Sequence, residues 1–194
     1  MKRDRQVPTL RGRRRGLQPF HQGELDGLCG VYAVINAVRA LCPELTADDA
    51  AWIFGSLISV LAKAGIDAVE ATTYGIERAE VGRLLRWTSA HVRDEYGVSL
   101  VVRRLPRPLR HQVGLATLWQ ALARAITPSS VAVLGLAGRQ SHWTVAIAVT
   151  PRQIKLFDSC KMRVLHRRHC RAGRANLRNG ISAPCVFIIK RQQS

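Results

Sequence analysis

The stretch Gln22-Gly-Glu-Leu-Asp-Gly-Leu-Cys29-Gly-Val-Tyr-Ala-Val-Ile-Asn-Ala-Val-Arg-Ala-Leu41 holds the clearest pattern in this chain. Val31, Val34, Ile35 and Val38 recur at i, i+3, i+4 and i+7, the spacing of one buried helix face. A helix over 29–41 follows, stopped by Pro43. Cys29 then stands at a helix start, flanked by Gly27 and Gly30. Helix N-termini present unpaired N–H groups and a partial positive charge. A thiol placed there ionises more readily than a free one, and the thiolate is the nucleophile.

Outward from this helix the pattern stays helical, then changes. Thr46, followed by Asp48 and Asp49, reads as the cap and acidic first turn of a second helix that ends at Gly65. A third helix is expected over 77–96, closed by Gly97. Residues 98–105 form a β-branched run ended by Pro106 and Pro108. One more helix is expected over 115–126, then strands over 131–136, 143–149, 153–157 and 185–189, with a short one at 163–165. Pro151 and Arg152 read as a tight turn, and 166–180 as a basic loop. Helices first and an antiparallel sheet afterwards predict an α+β fold. At 194 residues one domain is expected over 17–194, preceded by a basic, disordered arm over 1–16.

Composition narrows the function classes. The 47% hydrophobic fraction can build a core, and 6% aromatics make that core aliphatic. No run of about 18 apolar residues predicts a membrane span. The N-terminus is basic but lacks the apolar segment of a secretory signal. Five cysteines at irregular spacing argue for a reducing compartment, hence the cytoplasm, or an exported effector without that signal. The net charge of +17 is concentrated in the arm (Lys2, Arg3, Arg5, Arg11, Arg13, Arg14, Arg15) and in the C-terminal region from Arg152 to Arg191. Such a field attracts nucleic acid, acidic protein surfaces or anionic lipid. The arm lacks interleaved aromatics, which argues against a stacking single-strand binder. Oligomeric state is not legible.

A cysteine nucleophile needs a base, a group that orients the base, and donors for the oxyanion. Of the six histidines, His142 is the best base, because it opens an alternating run, His142-Trp-Thr-Val-Ala-Ile-Ala-Val149. Asp158 ends the next expected strand. In a hairpin the start of one strand lies beside the end of the other, so His142 and Asp158 become neighbours. Gln22 offers an amide N–H₂ to help the Cys29 backbone N–H hold an oxyanion. Glu24, Asp26, Gly27 and Trp143 are expected to line the substrate cleft, and the two acids would favour a basic or amine-bearing group. Cys160, His166, His169 and Cys170 match no standard zinc spacing, so no metal is expected. No phosphate-binding glycine loop is present, and the proposed chemistry requires no cofactor.

Gln22-x6-Cys29 at a helix start, His142-Trp143 opening a strand and Asp158 ending the next resembles the papain-like cysteine peptidases. The likeness covers two windows, 22–41 and 141–160. It is nearest to the bacterial peptidases that clip double-glycine leaders, and Josephin-type deubiquitinases share the residue order. The window around His142 and Asp158 is also similar to the ubiquitin-like-protein peptidases, whose cysteine comes last. The resemblance implies a helical subdomain packed on an antiparallel sheet, with the active-site cleft between them. It implies Cys29 as nucleophile, His142 as general base and acid, Asp158 as orienter and Gln22 as oxyanion donor. The expected activity is hydrolysis of a peptide or isopeptide bond. The same machinery performs glutamine deamidation and acyl transfer, as in toxins and effectors. A module that binds nucleic acid or an acidic protein through the basic segments is the reading from a different class.

Overall fold

The computed structural model describes residues 16–23, 26–106, 109, 113–138, 141–173 and 180–192. The basic arm expected over 1–16 lies outside them except for Gly16, as do Glu24 and residues 174–179 of the expected basic loop. The described residues form five helices and one seven-stranded sheet, an α+β arrangement. Four helices come first: α1 (Cys29–Leu41), α2 (Ala47–Lys63), α3 (Ala68–Tyr74) and α4 (Arg78–Tyr96). Then come β1 (Leu100–Arg104), α5 (Leu115–Ala125), β2 (Ser130–Ala137), β3 (His142–Val149) and β4 (Gln153–Leu156). The chain finishes with β5 (Val164–His166), β6 (Arg171–Ala172) and β7 (Gly180–Arg191).

Local chemistry explains the helix ends. Thr46 caps α2 in a reciprocal box: its hydroxyl accepts from the Asp49 N–H, and the Asp49 carboxylate accepts from the Thr46 N–H. Asp67 caps α3 by accepting from the N–H groups of Val69 and Glu70. Gly97 closes α4 in the left-handed conformation at φ 65°.

The sheet runs in the order β1-β7-β2-β3-β4-β5 and is antiparallel throughout, except that β6 lies parallel to the first residues of β7. It is covered on both faces. Val131 and Val133 of β2, Val145 of β3 and Ile189 of β7 share one apolar core with residues of α1, α2 and α4. Ala132, Leu134 and Leu136 point the other way, with Leu118, Trp119 and Leu122 of α5 above them. The period of two along β2 thus serves two separate cores. Two hydrogen bonds pin the layers: the Trp119 indole N–H donates to the Thr150 carbonyl at 2.8 Å, and Arg191 donates to the Leu41 carbonyl at 2.8 Å.

Three features depart from the sequence expectations. Helix α3 was not foreseen, because only Ala71 of its seven residues is buried and no apolar period marks it. Strand β7 is twelve residues long, where 185–189 was expected, and β6 falls in the expected loop. The longer β7 contains Pro184 and a register shift: Val186 pairs with Leu134, but the next pairing is Ile181 with Leu136. Proline is tolerated at such a bulge because no ladder N–H is needed there. Gly135 lies opposite the bulge, and a Cβ on it would meet the Cys185 Cβ at 2.6 Å. Among the described residues no single helix is long and apolar enough to cross a membrane.

Candidate active site

Cys29 is the first residue of α1 and is buried at 8% exposure. The loop before it is held by Asp26, whose Oδ1 accepts from the Leu28 N–H and whose Oδ2 accepts from the Gly23 N–H, both at 3.0 Å. The glycines on either side mark close packing. A Cβ on Gly30 would meet Ile76 Cγ1 at 2.6 Å. A Cβ on Gly27 would meet the Gly75 nitrogen and the Thr72 carbonyl oxygen, each at 2.9 Å. Backbone atoms yield less readily than side-chain ends, so Gly27→Ala is expected to lower stability by about 1–3 kcal/mol. Urea unfolding of the two proteins checks this, and an unchanged midpoint would refute it.

His142 is the first residue of β3 and pairs with Leu136 of β2. The β3–β4 pairing continues beyond β4, because the Phe157 N–H donates to the Val145 carbonyl at 2.8 Å. That register sets Asp158 opposite Thr144, on the side of the sheet His142 shares by the two-residue period. His142 Nε2 lies 2.7 Å from Asp158 Oδ2. The Cys29 side chain is the other polar neighbour of the imidazole and favours its charged form. With Nε2 engaged by the carboxylate, Nδ1 is the nitrogen left for the sulfur.

The imidazole feels opposing influences. Burial disfavours its charged form, but hydrogen bonds to Asp158 and Cys29, and the charges of both, outweigh that and raise its pKa to about 9. Burial would raise the Asp158 carboxyl, yet the hydrogen bond and charge of His142 hold it below the ordinary value. Asp158 Oδ1 also accepts from the N–H groups of Cys160 at 2.8 Å and Met162 at 3.0 Å. The chain folds tightly around this carboxylate, with Lys161 at φ 65°. The buried Thr144 hydroxyl lowers the carboxyl pKa further, although it makes no hydrogen bond of standard geometry; we assign it a weak dipolar effect.

Gln22 is carried to this site by the segment before α1. Asn36 of α1 clamps that segment, its carboxamide accepting from the Phe20 N–H and donating to the Phe20 carbonyl. The Gln22 N–H then donates to the Ser159 carbonyl at 3.1 Å, and its side-chain N–H₂ donates to the Asp26 carbonyl. Its Oε1 lies 3.5 Å from the Cys160 sulfur. The structure thus brings together Cys29, His142 and Asp158, with Gln22 beside the turn that follows Asp158. Asp26 is part of the frame, since both its oxygens serve backbone N–H groups. Trp143 is buried, and its indole N–H donates to the Ile76 carbonyl at 2.9 Å.

A cleft of about 310 Å³ opens beside His142, walled by Ile76 and Glu77 on the helical side and by Gly135, Ser182 and Cys185 on the sheet side. Glu77 was read only as the first residue of the helix expected over 77–96, not as part of a site; it is the N-cap residue of α4. Cys160 was singled out only for a zinc cluster, and Thr144 not at all. His142, Asp158 and Cys160 each place a donor atom within 4.8 Å of the others, so they could hold a soft divalent ion only if the His142–Asp158 contact opened. The Cys170 thiol is engaged otherwise, lying 3.3 Å from the His166 backbone carbonyl. No family model, curated protein or solved structure matches the chain.

Proposed function

We propose that this protein is a papain-like thiol hydrolase that cleaves a peptide or isopeptide bond. The observation that carries the reading is the line Cys29–His142–Asp158, with a carboxylate on one imidazole nitrogen and a thiol at a helix N-terminus by the other. In the proposed reaction the thiol proton already rests on His142 in a thiolate–imidazolium pair, and the Cys29 sulfur attacks the carbonyl carbon. The Cys29 N–H receives the oxyanion. An amide N–H₂ carries two donors, so the Gln22 bond to Asp26 leaves one for the same oxygen. His142 then gives its proton to the leaving amine as the C–N bond breaks and a thioester forms. It next takes a proton from water, which attacks the thioester and releases Cys29. An amine acceptor in place of water makes the same site a transferase, and a glutamine substrate makes it a deamidase. We place the protein in the cytoplasm, with the basic segments drawing acidic partners to it.

Alkylation by iodoacetamide, read by mass for each cysteine at about pH 6, tests the reading. Burial pushes Cys42 up to about 12 and Cys170 up to about 11, and burial together with nearby negative charges raises Cys160. These three should be slow. One fast adduct at Cys29, absent in Cys29→Ala and slowed at least about tenfold in His142→Ala, is the expected result. Equal rates for wild type and His142→Ala would refute the activated pair.

A further inference from the structure

We propose that the cleft beside His142 is a binding subsite for a cationic side chain, a guanidinium or an ammonium, with Glu77 as its carboxylate partner. This rests on the thiol-hydrolase reading in one respect, that the occupant is a residue of a peptide substrate. The chain has 30 Lys and Arg against 13 Asp and Glu, yet none of the described residues lining the cleft is Lys or Arg, and Glu77 is its one acid. Glu77 occupies the N-cap position of α4 but makes no side-chain cap bond. Among the described residues no ion pair engages it. Asp26 does not line this cleft, and both its oxygens accept backbone N–H groups in the loop before Cys29.

Glu77 is exposed, and the backbone beside it is held in place relative to the catalytic strand. Its neighbour Ile76 accepts the indole N–H of Trp143, the residue after His142, and Gly75 turns the chain at φ 81° just before. Glu77 and His142 therefore stand on walls tied to each other by a hydrogen bond. The positive charge of His142 is offset by Asp158, so among the described residues lining the cleft the uncompensated charge is that of Glu77. The volume falls near the lower end of ligand sites, which run from about 300 Å³ upward. A guanidinium can take a carboxylate through two parallel bonds. A neutral isostere leaves Glu77 unpaired, and an acidic residue meets repulsion.

The test is equilibrium binding to the full chain carrying Cys29→Ala, so that no turnover is needed. Alanine-based peptides with one arginine, citrulline or glutamate are titrated and followed by tryptophan fluorescence. Arginine is expected to bind about tenfold tighter than citrulline, the equivalent of about 1.4 kcal/mol, with glutamate weakest. Adding Glu77→Gln should bring arginine and citrulline within about twofold, and adding Glu77→Lys should make glutamate the best of the three. Equal binding of arginine and citrulline, a preference for glutamate in the parent, a preference that survives Glu77→Gln, or no saturable binding of any peptide overturns the subsite. Failure of the hydrolase reading looks different: arginine binding persists and follows Glu77, while Cys29 alkylation ignores His142→Ala.

Discussion

Replacing His142 by alanine is expected to lower amide hydrolysis by about 10³–10⁶-fold, because one side chain performs every proton transfer in the proposed cycle. The measurement is turnover of a fluorogenic peptide-amide pool. A loss smaller than about tenfold would show that His142 is not the base. The size of the effect follows from the geometry. The imidazole lies between Asp158 and Cys29, and no other described histidine shares that position. Its pKa of about 9 keeps the proton on the ring at neutral pH, ready for the leaving amine. Wild-type activity should therefore fall as pH rises through about 9, where the ring loses the proton it must donate. The variant should keep its helical circular dichroism, since His142 contributes to neither apolar core.

Much of this arrangement was legible in the sequence, and the parts that were not have physical reasons. Helix α1 was readable because its apolar residues keep a 3.6-residue period across thirteen positions. Strands β2, β3 and β4 were readable as short apolar runs between turn residues, and hairpin topology alone makes His142 and Asp158 neighbours. The second core was not foreseen, because a strand buried on both faces shows no alternation and does not declare what covers each side. Asp26 was expected to face substrate, yet a carboxylate two residues before a backbone N–H can equally close a turn, as it does with Leu28. Glu77 could not be found from spacing. It lies 65 positions before His142 in sequence, and only the Trp143–Ile76 hydrogen bond, a long-range contact, draws its loop to the site.

Asp158→Asn is expected to lower the same hydrolysis by about 10²–10⁴-fold while leaving the backbone in place. Asn keeps an oxygen for the N–H groups of Cys160 and Met162, so its N–H₂ falls where Oδ2 faced His142 Nε2. Nε2 must then accept, the ring proton moves to Nδ1, and that nitrogen can no longer take the thiol proton. The alkaline limb should also move down from about 9 towards the ordinary histidine value, because the carboxylate that raised it is gone. Stability should change in a defined window. His142 has a folded pKa above its unfolded 6.5, so its share of the pair is complete below 6.5 and is lost as pH rises through about 9. Asp158 has a folded pKa below its unfolded 3.8, so its share is present above 3.8 and is lost as pH falls through the folded value. The two shifts describe one interaction and count once. Wild type should therefore exceed Asp158→Asn by about 1–3 kcal/mol between roughly pH 4 and 6.5, and the gap should narrow towards about pH 9.5. Urea unfolding at about pH 5.5 and 9.5 measures both values. A gap that stays constant between them would mean that the pair is no source of pH-dependent stability, and that the imidazole does not carry its proton against Asp158.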